Sequence, residues 1–316
     1  MDEMMDTMTT EKFELPEIRA IKNLDIQKTG KIVVMSDCHR GDGSGSDDFA
    51  PNSLIYRQAL EQYLSEGFTY VELGDAEELW ENKTFDQIYI THTKVYETLH
   101  KFHDPDPDKT RYIKVWGNHD LYWQDHAKVY EGLFPGIQIY EAVILRLPSM
   151  VNEDILMIHG HQADPICTGG AATFSKFFVK NLWAELQKCG LKDPTRAACN
   201  PGVSDETDAT LHRWSTENNR GFKTIIAGHT HRAVYENLSI TERRYLESQL
   251  RTIGVKVKHS PDTGYYNTGS CVHPQSITAL EILSSPDDSP KFRLIEWRYA
   301  AHLDGSLYVE RGILAG

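Results

Sequence analysis

The sequence predicts an α/β fold, on three observations. Five apolar runs of four or five residues carry β-branched or aromatic side chains and are each closed within two residues by Gly or Asp. Stretches with apolar side chains at helical spacing separate several of these runs. Three longer strand-like segments with short turns between them complete the chain. Short apolar runs of this kind read as buried strands, and their alternation with helices points to a largely parallel sheet.

The elements come in this order. Residues 1–30 are expected to be a leader, because MDEMMDTMTTEKFELPE is acidic and lacks the basic and apolar regions of a signal peptide. Ile32–Met35 is the first strand. Residues 51–66 start at Pro and carry helical periodicity, so they read as the helix that leads to the strand Tyr70–Leu73. A second helix is expected over 85–103. It stops before Asp104-Pro105-Asp106-Pro107-Asp108, which cannot continue it. Strands follow at Tyr112–Trp116 and Ile155–Ile158. Residues 165–221 then hold no clear strand and read as a helical insertion. Within it, 171–190 has an apolar stripe through Phe174, Phe177, Phe178, Leu182 and Leu186, and a short helix is expected at 205–218. The pattern resumes with the strand Thr224–Ala227. Residues 276–283, 291–299 and 307–314 read as antiparallel strands. The catalytic domain is therefore expected over 31–316, with the insertion inside it.

Composition narrows the class. A chain of 316 residues with 40% hydrophobic and 25% charged residues is ordinary for a globular protein with a sizeable core. No apolar stretch approaches the ~20 residues that span a bilayer. The net charge of −13 disfavours nucleic acid as a partner, since phosphate backbones attract basic surfaces. The five cysteines, Cys38, Cys167, Cys189, Cys199 and Cys271, are odd in number and form no Cys-x-x-Cys pair, so a reducing, cytoplasmic setting is expected. Cys38 reads as a small filler between two polar residues. The oligomeric state is not legible.

Each apolar run is followed by a polar cluster. The clusters are Asp37-Cys38-His39, Gly74-Asp75, Gly117-Asn118-His119-Asp120, His159-Gly160-His161 and Gly228-His229-Thr230-His231. Loops at the carboxyl ends of strands share one edge of an α/β sheet, so these residues are expected to meet. All offer oxygen or nitrogen to a metal. Alone, each has an ordinary reading as a capping Asp, a Gly-Asp turn or a hydrogen-bonded His. Five in order, each after a strand, do not.

This series resembles the calcineurin-like metallophosphoesterases over residues 31–231. The resemblance implies a four-layer αββα sandwich: two mixed β-sheets flanked by helices. It also implies a dinuclear centre that hydrolyses a phosphate ester or pyrophosphate with a hydroxide held between two divalent ions. Mn²⁺ is expected, with Fe or Zn²⁺ as alternatives, because His, Asp and Asn discriminate poorly among them. Asp37, His39, Asp75 and His231 would hold one ion. Asp75, Asn118, His159 and His229 would hold the other. His119 would bond a phosphoryl oxygen or protonate the leaving group, and Asp120 would orient its ring. Arg40 either clamps a phosphate or makes a salt bridge. His161 either touches the bound phosphate or supports the site from outside it. Asn267–Ser270 is either a turn beside the site or a purely structural one.

The stretch Gly74-Asp75-Ala76-Glu77-Glu78-Leu79-Trp80 is similar to that of the UDP-2,3-diacylglucosamine pyrophosphatase branch. In that branch a helical insertion caps the acyl chains; here the Phe-rich stripe either does so or simply packs. His119 stands where that branch has Arg, and His161 where it has Asp. A related hydrolase with another substrate is therefore expected: a phosphorylated small molecule, a nucleotide or a lipid-linked compound. Phosphodiesterase activity is a further alternative. A non-catalytic scaffold would show broken ligand positions, and none is broken.

Overall fold

The first structured strand lies inside the stretch expected to be a leader. Leu15 and Ile18 are buried, and β1 (Ile21–Asp25) pairs in parallel with a strand more than a hundred residues away. Its sequence, IKNLD, is too short and polar to stand out, and only its partner makes it a strand. The computed structural model describes residues 15–26, 30–45, 47–82, 84–150, 153–168, 200–217, 220–235 and 264–316. The expected helix 171–190, with its aromatic stripe, lies outside the described residues.

One sheet is built on β2 (Gly30–Met35), β3 (Thr69–Leu73), β4 (Tyr112–Val115) and β5 (Ile139–Tyr140), all parallel. Its other side is the antiparallel set β11 (Ser276–Ser284), β12 (Lys291–Ala301) and β13 (Leu307–Ala315). β11 pairs with β2, which gives the order β13-β12-β11-β2-β3-β4-β5. The second sheet has the order β1-β6-β7-β8-β10-β9, from β6 (Ala142–Arg146), β7 (Ile155–Ile158), β8 (Thr224–Ala227), β9 (Ala233–Val234) and β10 (Gly264–Thr268). Both sheets are mixed.

Strand alternation assigns the layers. Ile32 and Val34 of β2, Val71 and Leu73 of β3 and Ile113 and Val115 of β4 meet Val143, Leu145, Ile155, Met157 and Ile226 between the sheets. The opposite face of the first sheet, with Val33, Met35, Tyr70 and Tyr112, is covered by α1 (Ser53–Ser65), α2 (Phe85–Thr91), α3 (Thr93–His100) and α4 (Trp123–Glu131). The outer face of the second sheet, with Leu156, Ile158, Ile225 and Ala227, receives Leu211 and Trp214 of a later helix, Pro201–Glu217. The four-layer αββα sandwich is the observed fold.

Two helices differ from expectation. The 85–103 helix is broken at His92, whose backbone leaves the helical region at φ −108°, ψ 25°. Its ring Nε2 is held 2.8 Å from Asp47 Oδ2, a long-range contact that no local pattern announces. The short helix α5 (Pro165–Thr168) precedes α6 (Pro201–Glu217), which begins four residues earlier than expected. There Asn200 Oδ1 accepts from the Gly202 N–H at 3.1 Å and Pro201 opens the first turn, as an N-cap requires. Among the described residues of 165–221 there is no strand.

Candidate metal centre

The loops after β2, β3, β4, β7 and β8 converge at one edge, and backbone bonds fasten them together. Asp37 N–H donates to Gly74 O (3.1 Å), His39 N–H to Asp75 O (2.9 Å) and Gly228 N–H to His159 O (2.8 Å). Side chains add to the fastening. Asp37 Oδ2 accepts from the His229 N–H (2.9 Å), and Asp75 Oδ1 from the His119 N–H (2.7 Å). Two glycines let the loops close. A Cβ on Gly117 would lie 2.2 Å from Asp75 Oδ1, and one on Gly74, at φ +82°, would lie 2.5 Å from the His159 ring.

The backbone itself marks the site. Six non-glycine residues among those described have positive φ, and five are Asp37, His39, Asp75, His229 and His231. Such conformations cost of order 1 kcal/mol or more each and persist only where surroundings enforce them.

Several of these side chains meet. Asp37 Oδ1 is 3.2 Å from His231 Nε2 and 3.9 Å from His39 Nε2. Asp75 Oδ2 is 3.1 Å from His159 Nε2 and 3.8 Å from His39 Nε2. Among the described residues, four sets of potential ligand atoms fall within 4.8 Å of one another, and three of them are made of predicted site residues: Asp37–His39–His231, His39–Asp75–His119 and Asp75–His159–His229. Asp37 Oδ1, His159 Nε2 and Asn118 Oδ1 are buried without a well-formed hydrogen bond. Orphaned buried polar atoms of this kind call for an explanation. This donor set, with the unsatisfied Asp37 Oδ1 and His159 Nε2 4.0 Å apart, fits divalent cations.

Electrostatics agree. Burial opposes ionisation of Asp37, but His231 and His159 pull its pKa down to about 2. Asp75 is likewise held well below its usual range, against burial, by His159 and His119. Burial disfavours charge on His159, yet Asp75 and Asp37 raise it to about 10. Both carboxylates are thus ionised at neutral pH, as cation ligands must be, and the proton they hold on His159 is the one a cation in their place would displace.

Neighbours fix the rings. His159 Nδ1 is 2.9 Å from Leu73 O, which turns Nε2 toward the aspartates. Glu78 reaches two histidines at once, with Oε2 2.8 Å from His39 Nδ1 and Oε1 2.9 Å from His119 Nδ1. Trp80 stands edge-on to His119, ring centres 4.7 Å apart. His229 Nε2 lies 2.8 Å from Asp164 Oδ2. Sequence reasoning missed the parts played by Glu78 and Asp164. A carboxylate three residues after Asp75, on the same loop, was the available signal for Glu78; Asp164 offered none.

One expectation is corrected and one open alternative is decided. Asp120 does not orient His119. Its carboxylate accepts from the backbone N–H groups of Gly117 (2.5 Å), Ala76 (3.0 Å) and Asp75 (3.3 Å), tying two loops together. Burial, with Asp75 and Glu77 nearby, raises its pKa to about 7 despite Lys114. Arg40 is no phosphate clamp. It is 0% exposed, bonded to Glu72 Oε1 (2.8 Å) and Glu77 Oε1 (2.6 Å) beneath the site, out of a substrate's reach. Lys114 Nζ closes the group onto the other oxygens of the same glutamates, at 2.9 and 2.8 Å.

His161 sits half-buried at the rim, its ring 5.5 Å from that of His159 and 6.4 Å from that of His229. Asn267 and Thr268 close β10 instead of forming a turn. Asn267 Nδ2 donates to Gly228 O (2.7 Å), and Thr268 Oγ1 lies 2.6 Å from Ser36 Oγ, so both brace the ligand loops. Cys38 is fully buried in the core beside the helices, as a filler would be.

Among curated proteins no sequence match is found. Among solved structures, the crystal structure of Chaetomium thermophilum Vps29 is similar at 10% identity, with a TM-score of 0.37 over 91% of this chain and 96% of that one. That likeness is too low to carry an argument. The description "Calcineurin-like phosphoesterase" matches residues 30–233, nearly two thirds of the sequence and all five ligand loops. The chain belongs to the calcineurin-like phosphoesterase family.

Proposed function

We propose that this protein hydrolyses phosphate esters or phosphoanhydrides at a pair of divalent cations. The observation that carries the reading is Asp75. It belongs to two of the ligand sets at once, which is what a carboxylate shared by neighbouring cations requires. Asp37, His39, Asp75 and His231 would hold one cation; Asp75, Asn118, His159 and His229 would hold the other. Such a pair supplies Lewis acidity toward phosphoryl oxygens and an activated water. Mn²⁺ suits the mixed oxygen and nitrogen donors, with Fe or Zn²⁺ as alternatives.

The protein's own groups supply the rest. Glu78 and Trp80 hold His119 in place, with Nδ1 committed to Glu78. Nε2 is then the nitrogen that meets a phosphoryl or leaving-group oxygen. Because Arg40 is sealed below, recognition of the phosphate falls to the cations, His119 and the rim at His161. The narrower nucleotide-lipid reading rests on the Gly74–Trp80 stretch, whose Glu78 and Trp80 already have a task at His119 that needs no lipid. Free thiols at Cys38 and Cys271 suit a reducing compartment. No helix among the described residues is long and apolar enough to cross a membrane.

Elemental analysis of the purified protein, followed by a panel of aryl phosphate, bis-aryl phosphate, pyrophosphate and UDP-diacylglucosamine with added Mn²⁺, tests the reading. Two metal equivalents and turnover of at least one substrate are expected. Absence of stoichiometric metal, with no turnover after Mn²⁺ addition, would overturn it.

A further inference from the structure

We propose that Asp164 is a positioning residue that aims His229 at the second cation; this rests on the dinuclear reading above. His229 follows β8 on a backbone held at φ +67°, with its N–H on Asp37. Its ring has two nitrogens, and Nε2 lies 2.8 Å from Asp164 Oδ2. Both residues are buried, Asp164 at 2% exposure. An ionised carboxylate has no proton to give, so Nε2 carries the hydrogen and Nδ1 keeps the lone pair. His229 groups with Asp75 and His159, and its ring meets that of His159 edge-on, centres 5.3 Å apart. Nδ1 is therefore the ligand atom.

Asp164 is itself well placed for this. It ends the 3-10 turn His161–Ala163, its N–H donates to His161 O (3.2 Å) and its carbonyl accepts from the Cys167 N–H (3.1 Å). The turn starts at Gly160, φ +115°, where a Cβ would stand 3.3 Å from Gly228 O and from His229 Cβ. The loop after β7 thus supplies one ligand, His159, and the support for another. A carboxylate behind a ligating histidine fixes its tautomer and orientation, and losing one typically costs about 10–100-fold in metal affinity. Asp164, Cys167 and His229 also form a ligand-like set of their own. A cation there would have to break the Nε2–Asp164 bond.

Manganese titration of metal-stripped full-length protein by calorimetry separates these ideas. Wild type should bind two Mn²⁺. Asp164→Ala should weaken one site by about 10–100-fold and spare the other. Asp164→Asn keeps an acceptor oxygen and should recover most of the loss. Cys167→Ser should match wild type. Nitrogen-15 spectra of the metal-free wild type, which need no variant, should show His229 protonated at Nε2. The opposite tautomer, unchanged binding by Asp164→Ala, or a lost cation in Cys167→Ser would each overturn the assignment. A wild type that binds no Mn²⁺ would instead refute the dinuclear reading, and this assignment with it.

Discussion

Glu78 and His119 are joined carboxylate to ring nitrogen at 2.9 Å, although 41 residues separate them. The same carboxylate holds His39, so a candidate ligand and the candidate proton donor share one support. His119→Ala should leave both metals bound and cut turnover by about 10²–10⁴-fold, the usual loss for an acid–base group. Glu78→Gln should slow turnover by about 10-fold or more and also weaken metal binding, because it disturbs His39 as well. Parallel metal analysis and steady-state kinetics distinguish the two variants. A metal-free His119→Ala protein would show that this ring is a ligand instead.

Asp75→Asn should abolish activity and lower metal content, since both ligand sets lose the same charge. Gly117→Ala should do the same without touching a ligand, because the new methyl would occupy the space of Asp75 Oδ1. Retention of two metal equivalents by either variant would contradict the shared-carboxylate geometry.

Beneath the centre, Arg40, Lys114, Glu72 and Glu77 form a closed square of charge with every member 0% exposed. Breaking such a buried set strands a charge in a low-dielectric interior. Lys114→Met should therefore destabilise the fold by about 3–5 kcal/mol, read by denaturant titration. A loss under about 0.5 kcal/mol would mean that the glutamates are neutral there.

Glu296 gives a pH signature. Burial pushes its carboxyl up from an ordinary 4.5 to about 7, against Arg298. Between those values the folded protein holds more protons than the unfolded chain, so this residue's contribution to stability falls as pH rises from about 4.5 to 7. Glu296→Gln should raise the melting temperature at pH 8 by about 2 °C and leave it nearly unchanged at pH 4.5. A gain that is equal at both pH values would point to packing instead of ionisation.

How much of this was legible in the sequence depends on range. The five ligand clusters could be read because each is local: an apolar run, a tight turn and a polar group within a few residues. The sheet edge then brings Asp37 and His231 together, 194 positions apart, by a general rule of α/β folds. Arg40 stays open between clamp and salt bridge in the sequence because its partners, Glu72 and Glu77, lie over thirty residues away and show no periodicity with it. Asp120 was misjudged because adjacency to His119 suggested a contact, whereas its carboxylate turns back to Gly117 N and Ala76 N. The break at His92 depends on Asp47, and β1 depends on β6; neither partner leaves a trace in the local pattern.

The candidate ligands come from both sheets. Asp37, His39, Asp75 and Asn118 hang from the first, and His159, His229 and His231 from the second. Each cation would draw on both, so the pair would act as rivets across the seam between the two halves of the sandwich. Chelation should then loosen that seam before it melts either half. Amide exchange should quicken first at the tips of β7 and β8, while the β11–β12 ladder stays protected.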